Sequence, residues 1–115
     1  MSEATIFDKI IAKEIPADIV YEDDWVLAFK DINPQAPVHV LVIPKSKAPG
    51  FSSLGDLETN TVGEFVKRIA QVATKLNLDT DGYRIVFNQG KHGQQSVNYI
   101  HAHILGGKQL NWPPC

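Results

Sequence analysis

Polar and apolar residues alternate most regularly near the C-terminus, from residue 99 to residue 105. Because successive side chains of a β-strand point to opposite faces, this pattern predicts a half-buried strand with one apolar face. His101 and His103 fall together on the other face. Their positions are predicted to lie roughly 7 Å apart, which suits a shared phosphate or metal ion but is too far for a direct hydrogen bond.

The rest of the chain shows one short and one long helical pattern and four further strand patterns. A short amphipathic helix is expected over residues 6–12, capped by Ser2 or Thr5. The capping-box pattern Thr61-x-x-Glu64 predicts the start of a long helix with an apolar stripe reaching Leu76. The four strands are expected at residues 19–22, 26–30, 38–43 and 83–88.

This order of elements predicts an α+β fold with a five-stranded, mainly antiparallel sheet and the long helix on one face. With 115 residues, the chain (1–115) is expected to form a single domain. A domain of this size buries enough surface to fold without a disulfide or a structural metal.

The charge balance argues against a polymeric nucleic acid partner. The chain has eleven Lys and Arg residues and thirteen Asp and Glu residues, which give a formal net charge of −2. There is therefore no basic excess to bind a phosphate backbone. A single nucleotide remains possible. No apolar run is long enough to cross a membrane, so no membrane association is expected. Cys115 is the only cysteine, which favours a reducing compartment, and we expect a cytoplasmic protein, also nuclear in a cell with a nucleus.

Histidine exchanges protons near neutral pH, so His101 and His103 suit nucleophilic or acid–base chemistry. His39 lies in an apolar run and needs a hydrogen-bond partner, either as a satisfied core residue or as part of a site. Asp31, in a proline-bounded loop, is either solvated or able to accept the two hydroxyls of a ribose. The glycine-bearing loop 89–96 is rich in donors that can face an anion, but it lacks the P-loop pattern.

Several motifs together resemble the histidine triad family, in its Hint branch. The C-terminal part carries Gln95-Ser96-Val97, His101-x-His103, Leu105-Gly106-Gly107 and Trp112-Pro113-Pro114. The N-terminal part carries Ile6-Phe7-Asp8-Lys9-Ile10-Ile11, Glu14-Ile15-Pro16-Ala17, residues 31–37 and residues 39–45 in matching order. The resemblance thus covers nearly the whole chain.

The resemblance implies a HIT-like fold in which two subunits form a homodimer with one ten-stranded sheet. It implies hydrolysis of purine nucleoside phosphoramidates, in which AMP or GMP is joined to an amine such as lysine. His101 would attack the α-phosphorus to give a covalent nucleotidyl-histidine, which water then hydrolyses. His103 and Ser96 would polarise the phosphoryl oxygens and assist the leaving group, and His39 would orient them.

The resemblance also implies a nucleotide-binding set and no cofactor or metal. Phe7, Ile10 and Ile32 would contact the base, Asp31 the ribose, and Trp112 would reach towards the partner's site. The phosphate or the leaving group would contact Asn88, Gln95, Ser96, His101 and His103.

Three positions depart from the family pattern. Tyr99 stands where the family has the first histidine of its triad, and a phenol with a pKa near 10 cannot exchange protons at neutral pH as histidine does. We nevertheless expect Tyr99 to be one of the catalytic residues, and we expect catalysis to survive. Gln94 stands where a second glycine is usual, and Cys115 replaces a glycine without an evident role.

Three alternatives stay open. A non-catalytic purine nucleotide-binding module would keep Asp31, Asn88 and Ser96 without turnover. A zinc-binding regulatory protein could use His39, His101 and His103, although no cysteine or evident carboxylate supplies a fourth ligand. The dinucleoside polyphosphate branch of the superfamily is disfavoured by the Trp112-Pro113-Pro114 terminus.

Overall fold

The structure is a computed structural model and describes residues 3–115. Its centre is one five-stranded sheet in the spatial order β1-β2-β3-β5-β4, with every neighbouring pair antiparallel. The fold class predicted from the sequence is therefore confirmed. The strands are β1 (Ile19–Glu22), β2 (Val26–Lys30), β3 (Val38–Pro44), β4 (Tyr83–Phe87) and β5 (Ala102–Gly106).

Helix α1 (Ile6–Ile11) begins as the sequence indicates. The Thr5 hydroxyl oxygen accepts hydrogen bonds from the backbone amides of Phe7 and Asp8, and the Asp8 carboxylate accepts one from the Thr5 backbone amide. Ser2, the other candidate cap, lies outside the described residues. The helix ends before Lys13, whose φ of 63° is left-handed and cannot continue a right-handed helix.

The capping box predicted at Thr61-x-x-Glu64 was wrong, because helix α2 (Thr59–Lys75) begins two residues before Thr61. Glu58 is the N-cap, and its carbonyl already accepts the first helical hydrogen bond from Val62. Thr61 therefore lies inside the helix, and the amides that its side chain would cap already donate to helical carbonyls. A 3₁₀ helix (Phe51–Asp56) occupies the segment expected to be an irregular connector.

The two faces of the sheet are covered by different helices, each over its own apolar cluster. The larger cluster joins α2, through Phe65, Ile69 and Val72, to the sheet. The smaller cluster contains Phe7 and Ile10 of α1 together with residues from β2 and β3. The long helix thus packs on one face, as predicted, and α1 covers part of the opposite face.

Strand β5 is shorter than the alternating pattern suggested, because it begins at Ala102. The predicted two-faced arrangement nevertheless extends further back. Tyr99 belongs to the cluster under α1, whereas Ile100, Ala102 and Ile104 belong to the cluster under α2. The amide of Ile100 bonds the carbonyl of Ala48, 2.7 Å away, instead of a neighbouring strand. No helix within residues 3–115 has the length and apolar character needed to span a bilayer.

Candidate active site

Three histidines from two neighbouring strands meet on the face of the sheet that carries α1. His101 immediately precedes β5, His103 lies within it, and His39 lies in the adjacent strand β3. The ring centroids of His101 and His103 are 5.0 Å apart, and those of His39 and His103 are 5.2 Å apart. The antiparallel register places His103 opposite Leu41, so His39, two residues earlier on the same face, is its diagonal neighbour.

His101 has one fixed tautomer. Its Nδ1 lies 2.7 Å from the backbone carbonyl oxygen of Tyr99. A carbonyl can only accept, so Nδ1 carries the hydrogen and, in the neutral ring, Nε2 carries the lone pair. Burial lowers the pKa of His101 below its ordinary value, against smaller opposing effects of the Tyr99 carbonyl and the Asp31 charge. His101 is therefore a neutral imidazole with an available Nε2 at pH 7.

His39 and His103 form a directed hydrogen bond. The backbone amide of Gln35 donates to Nδ1 of His39 over 3.0 Å, which requires Nδ1 to be the acceptor. The hydrogen of neutral His39 is then on Nε2, which lies 2.9 Å from Nδ1 of His103. His103 accepts at Nδ1 and so carries its own hydrogen on Nε2.

Nε2 of His103 is buried, and no group within residues 3–115 lies at hydrogen-bond distance from it. Burial, reinforced by the neighbouring His101 and His39, lowers the pKa of His103 to about 4, although the Asp31 charge opposes this. The ring is therefore neutral at pH 7. A buried donor without a partner costs about 1–3 kcal/mol. A bound phosphoryl oxygen would satisfy it.

Asp31 and Ile32 lie where β2 leaves the sheet. The backbone amide of Asn33 donates to Oδ1 of Asp31 over 2.8 Å, and Oδ2 lies 3.4 Å from Nε2 of His39. Oδ2 retains capacity to accept further bonds from a ligand. The side chain of Ile32 is 98% exposed and presents an apolar surface to solvent next to Asp31 in the chain.

The loop before β5 is held by its own amide side chains. Nδ2 of Asn88 donates to the Gly93 carbonyl over 2.7 Å. Nε2 of Gln95 donates to the carbonyls of Pro49 and Val97, and Oε1 accepts from the Gly90 amide. These two side chains brace the loop, and the contacts expected from them to a phosphate or leaving group stay a prediction.

Ser96 is the exposed hydroxyl of this loop, and it borders a surface depression of about 570 Å³ between the loop and the N-terminal residues. Gln94 takes a left-handed backbone conformation, with φ of 61°. Gln94 thus keeps the conformation that suits the family's glycine, although a left-handed geometry is costlier for a residue with a Cβ. His92, the fourth histidine, is exposed.

Tyr99 points away from solvent and has 1% of its surface exposed. Its hydroxyl donates to the carbonyl of Pro44 at the end of β3. Burial, with a smaller contribution from the Asp8 charge, raises the pKa of Tyr99 further. The hydroxyl is engaged within the protein, so direct catalytic contact between Tyr99 and a substrate remains only a prediction.

The remaining residues predicted to contact the nucleotide differ in burial. Phe7 and Ile10 are core residues of α1, and the ring of Phe7 meets His101 edge to face at 5.0 Å between centroids. Trp112 lies on the C-terminal tail, 79% exposed, with the Arg84 guanidinium 5.7 Å from its ring centre. It is not among the groups that contact the histidines within residues 3–115, and its role towards a partner subunit stays a prediction.

A metal ion does not fit the hydrogen-bond pattern of these histidines. Ligand atoms of Asp31, His39 and His103, rather than the predicted set with His101, lie within 4.8 Å of one another. However, the Gln35 amide occupies the one lone pair of neutral His39, and the lone pair of His103 accepts the hydrogen of His39. A metal would have to displace both bonds, so the arrangement favours proton-bearing imidazoles over metal ligands.

Sequence reasoning missed two contributors. The backbone amide of Gln35 sets the tautomer of His39, and Lys47 lies over the ring of Tyr99 at 5.7 Å. Neither leaves a signal in the sequence, because one acts through its backbone and the other by a contact across the fold. A depression of about 630 Å³ lies along β4 near Tyr83 and Arg84, and the histidines are not among its lining residues.

Buried histidines with fixed tautomers on one face of an antiparallel sheet suit nucleophilic and proton-transfer chemistry. The family model described as "HIT domain" matches residues 12–110. The chain therefore belongs to the HIT family, which confirms the resemblance seen in the sequence.

Relatives and solved structures agree with this assignment. The chain is 46% identical over 110 residues to the purine nucleoside phosphoramidase of Escherichia coli (strain K12), covering 96% of this chain and 92% of that protein. It is 54% identical over 112 residues to a 14 kDa zinc-binding protein of Zea mays, covering 96% and 87%. A HIT family hydrolase from Legionella pneumophila Philadelphia 1 superposes with a TM-score of 0.92 at 42% identity, covering 97% and 100%. The chain is thus a hydrolase of the HIT family.

Proposed function

We propose that this protein hydrolyses purine nucleoside phosphoramidates to a nucleoside monophosphate and an amine through a nucleotidyl-His101 intermediate. One observation carries the proposal: His101 presents an unprotonated Nε2, and the ring of His103, 5.0 Å away between centroids, has an Nε2–H without a hydrogen-bond partner within residues 3–115. The first group can attack phosphorus, and the second can bind an oxygen of the same phosphoryl group. The phosphoramidase activity of the Escherichia coli relative supports this substrate class.

In the first step, Nε2 of His101 forms a bond to the α-phosphorus and the phosphorus–nitrogen bond breaks. The imidazole becomes positively charged because Nδ1 keeps its hydrogen. The Tyr99 carbonyl, 2.7 Å away, stabilises that charge by accepting the Nδ1–H. Asp31 adds a favourable negative charge nearby. Covalent catalysis of this kind splits one difficult displacement into two easier ones.

The departing nitrogen must take up a proton to leave as an amine. The Ser96 hydroxyl is exposed and borders the depression before β5, where it can pass a proton from water. His103 instead keeps its Nε2–H on the phosphoryl oxygen, since giving up that proton would leave an anionic ring in a buried site. In the second step, water attacks phosphorus, His101 leaves, and the proton is returned to solvent.

The nucleoside is proposed to lie over Asp31 and Ile32. Oδ2 of Asp31, which lies 3.4 Å from Nε2 of His39, has further capacity to accept the ribose hydroxyls, and the exposed side chain of Ile32 offers an apolar surface to a purine. AMP and GMP share both features, so both are proposed as products.

The test is turnover of an adenosine phosphoramidate by wild-type protein and by His101→Ala, in the presence of a chelator. We expect wild type to release the amine and His101→Ala to lose activity. His92→Ala is the matched control, because His92 is exposed outside the site, and it should retain wild-type activity. Mass spectrometry of wild type that is rapidly denatured at alkaline pH, where a phosphorus–nitrogen bond to histidine survives, should show one nucleotidyl group on the peptide that contains His101.

A folded wild-type protein that binds AMP but releases no amine would contradict the enzyme proposal. That outcome would favour the alternative of a non-catalytic nucleotide-binding module. Retained turnover in His101→Ala would instead contradict the assignment of the nucleophile.

We also propose that two copies pair along strand β4 to form a homodimer. Strand β4 is an edge of the sheet with one side unpaired, and Phe51, 51% exposed, packs against Phe87 of this strand. An exposed edge beside apolar surface is a ready site for strand pairing. Sedimentation should show a dimer that Phe51→Asp weakens, whereas Ile19→Asp, at the opposite edge, should leave it intact. A monomeric wild type would contradict this proposal.

A further inference from the structure

Tyr99 touches the candidate nucleophile through its backbone and the end of β3 through its side chain. The carbonyl oxygen of Tyr99 accepts the Nδ1–H of His101, and the hydroxyl of the same residue donates to the carbonyl of Pro44. Both bonds are buried. Residue 99 therefore links the backbone of β3 to the ring of His101.

The backbone at Tyr99 is not held by strand pairing. Residues 97–100 lie outside any strand, since β5 begins only at Ala102. The Ile100 amide bonds Ala48, but no ladder bond to β3 or β4 includes residue 99. The side-chain bond to Pro44 is thus the contact through which the residue 99 side chain can fix the position of its own carbonyl.

Two further contacts hold the ring of Tyr99 in place. Phe7 of α1 meets it edge to face at 6.1 Å between centroids, and Phe7 also meets His101. Lys47 lies over the ring at 5.7 Å, while its ammonium group donates to Asp8 of α1 over 2.8 Å. The tyrosine is therefore enclosed by α1 on the side where His101 is also packed.

We propose that Tyr99 is a positioning residue for His101: its hydroxyl bond to Pro44 holds the residue 99 carbonyl where it selects the tautomer with a free Nε2. This inference rests on the proposed function, because it assigns Tyr99 a part in preparing the nucleophile. It also gives the departure from the family's triad a physical role. The phenol hydroxyl reaches the Pro44 carbonyl, and this positioning role requires no proton exchange at neutral pH.

The experiment measures the imidazole nitrogens of His101 in substrate-free protein by ¹⁵N NMR, together with steady-state kinetics. Wild type should show one tautomer, with hydrogen on Nδ1. Tyr99→Phe keeps the ring but lacks the hydroxyl, so we expect a mixture that includes the Nε2–H form. Its kcat should fall about three- to tenfold, the rate equivalent of one net hydrogen bond, with the affinity for AMP unchanged. Tyr21→Phe, which loses a hydroxyl bond to Asp23 on the face of the sheet under α2, is the control and should change neither quantity.

The NMR readout separates this inference from the proposed function, since it needs no turnover. A wild type without phosphoramidase activity would contradict the proposed function and leave the tautomer measurement valid. A folded Tyr99→Phe protein in which His101 keeps a single Nδ1–H tautomer would overturn the positioning role, whatever its rate. If thermal denaturation shows that Tyr99→Phe is unfolded, 4-fluorophenylalanine incorporated at position 99 decides the question. That side chain fills the space of the hydroxyl but has no donor for the Pro44 carbonyl, so an unchanged His101 tautomer would overturn the proposal.

Discussion

Nε2 of His39 and Nδ1 of His103 lie 2.9 Å apart across strands β3 and β5, and the Gln35 amide gives this bond a single direction. The donor on Nε2 of His103 exists at pH 7 because His39 occupies the opposite nitrogen. The reactive orientation of His103 is thus determined by a residue 64 positions earlier in the chain.

Replacing His39 tests this dependence. In His39→Leu, Nδ1 of His103 loses its donor, so the ring can rotate or change tautomer and no longer presents Nε2–H reliably. We expect kcat to fall about tenfold to a hundredfold, the rate equivalent of roughly 1–3 kcal/mol. Steady-state kinetics with an adenosine phosphoramidate provides the measurement. His92→Leu is the matched histidine control, and equal rates in the two variants would argue against the directed bond.

The activity should decline in acid only below the ordinary pKa of histidine. His101 must be neutral to attack, and burial holds its folded pKa below the ordinary value of 6.5. As pH falls, the decline of kcat/KM, which follows the free enzyme, should therefore have its midpoint below pH 6.5. A profile whose acid limb lies at or above pH 6.5 would show that the nucleophile is not desolvated in this way.

Stability should fall over the same acidic range. The pKa of His103 is about 4 in the folded protein and near 6.5 when unfolded, so the unfolded state binds more protons between these values. The free energy of unfolding is fully retained above pH 6.5 and decreases as pH falls towards 4, by at most about 1.4 kcal/mol per pH unit for this group. Urea unfolding from pH 7.5 to 4.5 measures the slope. His103→Gln should flatten it, and an equal slope in both proteins would contradict the prediction.

The loop before β5 offers a matched pair of substitutions. Gln94 has φ of 61°, so Gln94→Gly removes backbone strain and should raise the free energy of unfolding by up to about 1 kcal/mol. Gly93→Ala should do the opposite, because an added Cβ would lie 2.5 Å from the Gln89 carbonyl oxygen. Thermal or urea unfolding checks both. Stabilisation by Gly93→Ala, or clear destabilisation by Gln94→Gly, would show that the loop conformation differs.

Recognition of the ribose should depend on the charge of Asp31. Asp31→Asn removes the anionic acceptor, and we expect AMP to bind about tenfold to a hundredfold more weakly, the equivalent of a hydrogen bond to a charged group. A 2′,3′-dideoxy analogue should bind both proteins equally, since it lacks the hydroxyls. Calorimetry measures both affinities, with Asp24→Asn as an exposed control. A comparable loss for the dideoxy analogue would place the effect of Asp31 elsewhere, for example on His39, whose Nε2 lies 3.4 Å away.

The sequence by itself determined the local and periodic features. The alternation from Tyr99 to Leu105 indicated that His101 and His103 share a face, and the structure keeps that alternation although β5 starts only at Ala102. The strand and helix patterns predicted the antiparallel sheet and the covering helix. These features follow from burial at short range, which residue order records directly.

Only the tertiary structure decided which atoms are free to react. The sequence contained the three histidines, but the register between β3 and β5 brings His39 to His103. The tautomers then follow from two backbone groups, the Gln35 amide and the Tyr99 carbonyl. Backbone donors and acceptors are identical in every residue except proline, so side-chain patterns do not reveal where they point. Their direction is fixed when the sheet and its loops pack together.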